Sequence, residues 1–317
     1  PTIDPASFGT LILQTTASAN SDLDKAFSST TTPIGNGQMY LGAAGAASYY
    51  GSSRAALVAN DPTHTYKFGG GLNANLQVGA SRASGGVLTN LNGQSHNVVA
   101  GKPGIWGENY PQQVRLTDAN SYSGETTVNR GATLLAYGQQ NGSGLGAASG
   151  GVTLNGYGNN SHSNASLWYT AYSNKGTDNQ YGNDRKAKLT LNGGTYIVLD
   201  HNPSSSEGGA ADNQVKLTFD ALVRKGRATM GLRATNLNVR EQFMITGGQA
   251  TSHGMVAPYF WDTLNNAFLD YDANGFKTTT VQVASLSGAA ATAIVHSAGE
   301  AVASGGQKIW ALRAAGA

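Results

Sequence analysis

The stretch 270–275 reads DYDANG, which sets Asp270, Asp272 and Asn274 at alternate positions before a glycine. Calcium takes about six to eight oxygen ligands, and this order supplies the first half of a calcium loop. The bidentate glutamate expected at the end of such a loop is replaced by Val281. A bound calcium would have to complete its shell from neighbouring strands. The same order is also good turn chemistry, because Asp and Asn side chains bond their own backbone two residues on. Calcium is the one cofactor the sequence offers.

Other chemistry finds less support. Glycoside or uronate cleavage needs paired carboxylates about 5–9 Å apart. The candidates Asp212, Asp220, Asp262 and Asp270 show no spacing that sets two of them on one face. His64, His96, His162, His201, His253 and His296 stand singly, without the paired spacing of a zinc site. Ser205 and Ser206 lack a G-x-S-x-G elbow. The expectation is no catalysis, with a polysaccharide-cleaving β-helix enzyme as the remote alternative. The run LWYTAY at 167–172, with Tyr49, Tyr50, Tyr259, Phe260 and Trp261, offers aromatic faces on which sugars stack. Filling a core is the commoner use of such residues. An adhesin or carbohydrate-binding domain that meets surface glycans is therefore the second reading.

The elements around these residues read as strands. GTLILQTT (9–16), GVTLNG (151–156), KLTLNGGTYIVLD (188–200) and VKLTFDALVRKG (215–226) are apolar-rich or alternate apolar and polar residues. Several end on glycine, which tolerates the left-handed backbone of a tight corner. Three segments repeat a strand, a polar corner and a strand: 126–136, 189–199 and 221–234. Their corner glycines are Gly131, Gly194 and Gly226, and Gly124 precedes the first. Such units cannot bury an apolar face alone and must stack. The fold class expected is all-β, a parallel β-helix or β-solenoid with long polar loops, with stacked β-sandwich-like sheets as the alternative. Loop insertions are expected near 139–184 and 201–213. DLDKAF (22–27) is the best helical candidate; the Ala-rich 289–315 could hold a helix on propensity, but QKIWALRA (307–314) reads in preference as a strand.

Composition agrees with a folded, turn-rich β protein: 43 glycines, 12% charged residues and 39% hydrophobic residues in 317. Net charge is +2. The basic groups Arg185, Lys186, Lys188 and Arg224, Lys225, Arg227, Arg233 read as solvated faces, so nucleic acid is not expected as a partner. No cysteine is present. No apolar run approaches the roughly 20 residues of a transmembrane helix. The chain starts at Pro1 without an initiator methionine, which reads as a processed chain or a portion of a longer one.

The residues Asn120, Tyr122, Gly124, Thr126, Thr127, Val128, Asn129, Gly131, Leu134 and Gly138, in this order, resemble the autotransporter-associated β-strand repeat. Similar features flank them, from MYLGAAGAASYYG (39–51) to KIWALRAAG (308–316). Glu125 and Arg130 depart from the pattern. The resemblance implies a bacterial exported or cell-surface protein with a β-solenoid passenger and no catalytic residues. An outer-membrane barrel signature is not seen.

A solenoid exposes unpaired backbone at its ends. Residues 1–16 are read as an N-terminal strand segment and 17–317 as the repeat domain. Leu11, Ile12 and Leu13 are the candidate self-association residues, Leu11 and Leu13 facing one side and Ile12 the other. No polar cap is evident at either end. The function expected is a structural component of an extracellular filament or giant surface protein. It would assemble end to end with itself or with neighbouring repeats of a longer chain.

Overall fold

The computed structural model describes residues 8–14, 38–49, 63–69, 75–79, 87–102, 112–139, 142–157, 164–171, 183–201, 214–280, 289–291, 293–297, 309 and 311–314. Among them there is no helix, and the strands form a parallel β-helix. The coils run in chain order. The first contributes β1 (Thr10–Leu13), the second β2 (Tyr40–Ala43) and β3 (Ala46–Tyr49), and the third β4 (Thr65–Phe68) and β5 (Asn75–Val78). Next come β6 (Asn97–Ala100) with β7 (Gln112–Leu116), then β8 (Thr126–Asn129) with β9 (Ala132–Gln139) and the short β10 (Gly142–Ser143). The pair β11 (Gly151–Asn155) and β12 (Ala165–Ala171) follows, then the long strands β13 (Asn183–Asp200) and β14 (Val215–Arg233), and β15 (Glu241–Ile245).

Parallel pairing stacks these into columns. The first column is β1, β2, β4, β6, β8, β11, β13 and β14. The second is β3, β5, β7, β9, β12 and the later halves of β13 and β14. Alternation follows from strand geometry, in which every second side chain points inward. Inward rows therefore run through the whole stack. Leu76, Val114, Leu134, Leu167, Ile197 and Leu232 are successive register partners, all buried. Each contributes about 1.5–3 kcal/mol by burial.

A third, shorter column is built from turns. Asn120 accepts from the Leu88 N–H (3.0 Å) and donates to the Gly144 carbonyl (3.0 Å), tying the coils before and after it. Beside it, Tyr122 is buried with its hydroxyl 2.7 Å from Thr126 Oγ1. Asn129, Asn155 and Asn192 are register partners at the end of the first column. Their amides pass hydrogen bonds from coil to coil, starting from Asn129 Nδ2 to the Gly101 carbonyl at 2.8 Å. Asn120, Tyr122, Thr126 and Asn129 of the 120–131 stretch thus each have a mechanical role in the stack.

Several expectations change. Residues 139–184 are not one continuous loop, because β11 and β12 lie within them and join the two columns, while 140–141, 158–163 and 172–182 lie outside the described residues. Variation is concentrated in corners, which absorb extra residues while register is kept; this explains the irregular period. β1 pairs in parallel with β2, so residues 10–13 belong to the same stack as the rest. The candidate helix at 22–27 and, apart from His201, the insertion expected near 201–213 lie outside the described residues. The Ala-rich end forms β19 (Ile294–Ser297) and β20 (Ala311–Ala314), paired in parallel as a small separate sheet.

Candidate functional site

The two ends of the stack differ. At the N-terminal end, β1 pairs with β2 on one side, and no described strand pairs with its other edge. Leu13 is buried, Leu11 packs partly against the core and Ile12 points out, 37% exposed. Phe8 beside it is 85% exposed. Residues 8–14, FGTLILQ, carry no charge. Lysines, charges and prolines are the usual protection of an edge strand, and β1 has none of them.

At the far end, the chain folds back over the last coil. β16 (Phe260–Asp262) continues the second column in parallel, then β17 (Ala267–Asp272) and β18 (Gly275–Thr278) add antiparallel strands. Tyr271 Oη donates to the Ile245 carbonyl (2.9 Å) and accepts from the Ile245 N–H (2.8 Å). Asn238 Nδ2 donates to Asp272 Oδ1 (2.9 Å). The rings of Phe243 and Phe276 stack at 5.2 Å, sealing the last coil. The sequence shows no cap because this one is apolar and its turn reads as a cation loop. In Tyr271→Phe, the Ile245 N–H loses its acceptor while the carbonyl keeps its bond from Gly248. The expected loss is about 1–2 kcal/mol in urea unfolding.

Asp270, Asp272 and Asn274 form this hairpin. Lys277 Nζ lies 3.5 Å from Asp270 and 3.3 Å from Asp272, and Asp272 Oδ1 accepts the Asn274 N–H at 2.8 Å. A lysine thus supplies the positive charge the two carboxylates face. Among the described residues no group of three or more His, Cys, Asp or Glu is arranged to hold a metal ion.

The middle of β14 is an open edge at this end. Among the described residues, 221–225 pair only with β13, and Arg224, Lys225 and Arg227 stand exposed along or beside them. Arg224 also lies 3.7 Å over the Tyr259 ring. This edge carries the charges that β1 lacks.

The four corner glycines serve different ends. Gly131 (φ 72°) and Gly226 (φ 56°) need the left-handed backbone. At Gly124, a Cβ would lie 2.4 Å from the His96 carbonyl, so the glycine there admits close approach of coils. At the fourth corner it is Gly193, φ 75°, that turns the chain, while Gly194 presents its carbonyl to Gly156.

One basic group is not a solvated face. Arg185 is exposed, paired with Asp220 at 2.7 Å, but Lys186 is fully buried. Its ammonium donates to the carbonyls of Gly146 (2.5 Å) and Ala147 (3.0 Å) and lies 3.4 Å from Asp184 Oδ1. Ser143 Oγ donates to the other oxygen of Asp184. Burial pushes the Asp184 carboxyl up and the Lys186 ammonium down from their ordinary values. A second buried pair, His201 Nδ1 with Glu241 Oε1 at 2.7 Å, ties the end of β13 to β15. No sequence signal marks either cluster, since the Gly146 and Ala147 carbonyls that Lys186 meets and the Glu241 carboxylate that His201 meets come from about 40 residues away.

The aromatic candidates divide by alternation. Leu167, Tyr169 and Phe260 point into the core, whereas Trp168 and Trp261 face outward, half-buried. Of the acidic candidates, Asp262 is buried and holds its own turn through the Leu264 and Asn265 N–H groups, and Asp220 is exposed. Neither faces a second carboxylate in the contacts it makes. No helix among the described residues is long and apolar enough to cross a membrane. Compared with known proteins, the chain matches no family model, no curated protein and no solved structure.

Proposed function

We propose that this chain is a structural segment of a bacterial extracellular filament or giant surface protein, joined end to end through β1. The observation that carries this reading is the contrast between the ends. One edge is apolar and uncharged, and the other is covered by a hairpin and lined by Arg224, Lys225 and Arg227. The backbone groups of β1 gain partners when another strand is added, from a preceding repeat of a longer chain or from a second copy. Support for the surface location comes from the resemblance of 120–138 to the autotransporter-associated repeat. The buried rows specify a rigid shape, and shape is what such a component supplies.

The test is Ile12→Lys, which sets a charge on the outward side of the edge strand while Leu11 and Leu13 keep their places. In light scattering and electron micrographs the unsubstituted chain is expected to form oligomers or fibres. Ile12→Lys and deletion of residues 1–16 should both leave monomers with an unchanged stack by circular dichroism. A monomeric unsubstituted chain at high concentration, or fibres that survive both changes, rejects the proposal.

A further inference from the structure

The outward side of the second column carries a row that packing of the core does not require. Arg115, Leu135, Trp168, Val198 and Arg233 are successive register partners on five adjacent strands. Apolar side chains thus occupy the middle of the row, Leu135 buried beneath its neighbours and Trp168 and Val198 half-buried, and a guanidinium stands at each end. The two arginines are four strand spacings apart, roughly 19 Å at about 4.8 Å per strand. The neighbouring row brings Tyr196, Gly231 and Trp261 together, again as register partners.

Gly231 matters here through what it lacks. A Cβ at this position would meet Thr263 Cγ2 at 2.7 Å, Tyr196 Cδ2 at 3.0 Å and Trp261 Cζ2 at 3.1 Å. The two rings and the threonine methyl group thus close over the bare backbone. Tyr196 is held there by a hydrogen bond of 2.9 Å between its hydroxyl and Thr263 Oγ1. Trp168 has an indole N–H that is buried without an acceptor. Such a donor costs about 1–3 kcal/mol, which a phenylalanine in the same place would avoid.

We propose that this face is a binding platform for an acidic oligosaccharide lying along the axis of the solenoid. The apolar C–H faces of pyranose rings stack on Trp168, Tyr196 and Trp261, as sugars do on aromatic side chains. Arg115 and Arg233 hold carboxylates at either end, a role suited to a planar fork of donors. Arg115 is already oriented by Gln113, its Nε donating to Oε1 at 2.9 Å. Charge and width select the occupant. Two rows of side chains about 19 Å long present well under the roughly 800 Å² per partner of a stable protein interface. An acidic chain of linked rings matches both its shape and its two cations. The proposal is independent of the assembly through β1, which lies at the other end of the stack.

Titration calorimetry of the intact chain at low salt tests it, with a galacturonate hexamer, a glucose hexamer linked as in cellulose, and an oligothymidylate as probes. The galacturonate hexamer is expected to bind about tenfold or more tightly than the neutral hexamer, with affinity falling as salt screens the arginines. Trp168→Ala should weaken it by about tenfold or more. Arg233→Gln, at an exposed position that leaves the fold unchanged, should remove most of the preference for the acidic sugar. Absence of galacturonate binding overturns the proposal, as does equal binding of the two sugars. Unchanged affinity in Arg233→Gln, or tighter binding of the oligothymidylate, overturns it as well.

Discussion

Lys186→Met is expected to lower the stability of this chain by about 3–5 kcal/mol, read as a shift of the urea midpoint. The side chains are similar in length, so packing changes little and the loss is electrostatic. The ammonium serves the carbonyls of Gly146 and Ala147 and the carboxylate of Asp184 at once. Without it, Asp184 is left buried with Ser143 as its hydroxyl donor and Tyr169 as a close neighbour. Removing both charges, as in Lys186→Met with Asp184→Leu, is expected to recover most of the loss, because a buried ion pair is often no better than apolar residues of similar size. A single variant within about 1 kcal/mol of the unsubstituted chain would show that the cluster holds nothing together.

The same pair fixes a dependence on pH. Burial holds Lys186 below the ordinary lysine value in the folded chain. Between that depressed value and the ordinary one near 10.5, the unfolded chain binds more protons, so stability rises with pH across this window. The lysine's contribution is lost again as pH falls through its folded value. Asp184 has the opposite sign: burial raises its carboxyl, so its contribution is present below about pH 3.9 and lost as pH rises through the raised value. The double variant should be flatter than the unsubstituted chain in both windows.

Alternation and corner residues made most of the stack legible in the sequence. The segments 126–136, 189–199 and 221–234 look alike because they occupy equivalent places in the same columns, with Thr126, Val152, Leu189 and Leu222 in one inward row. The coil at 151–171 escaped comparison because its corner holds nine residues, 156–164, where its neighbours use far fewer. Lys186 was misread for a different reason. Position along a strand sets its direction, but only the coil before it, with the carbonyls of Gly146 and Ala147 within reach of the ammonium, makes an inward lysine tolerable. The hairpin over the last coil was hidden in the same way, since Asp270 and Asp272 show a cation loop until Lys277 is seen beside them. Chemistry shared between coils leaves no local pattern to read.

Gly156→Ala should be among the most damaging single-methyl additions in the chain, beyond the roughly 1–3 kcal/mol of ordinary overpacking. A Cβ at 156 would lie 1.6 Å from the Gly194 carbonyl oxygen and 3.1 Å from the Ala165 nitrogen. On the next coil, a Cβ at Gly193 would lie 2.1 Å from the Gly156 carbonyl oxygen. The obstacles are backbone atoms, which cannot rotate away as a side chain can. Two coils therefore interlock at bare corners, and the methyl group must force them apart just where the Gly156 N–H bonds the Asn192 carbonyl at 2.8 Å. Gly226→Ala supplies the control. Nothing lies within 4 Å of its added Cβ, so only the left-handed backbone at φ 56° opposes it, at about 1–2 kcal/mol. Urea midpoints of the two variants separate close approach from backbone conformation as the reason for a corner glycine. If Gly156→Ala proves no worse than Gly226→Ala, the coils are held apart by more than their backbones and the interlock is wrong.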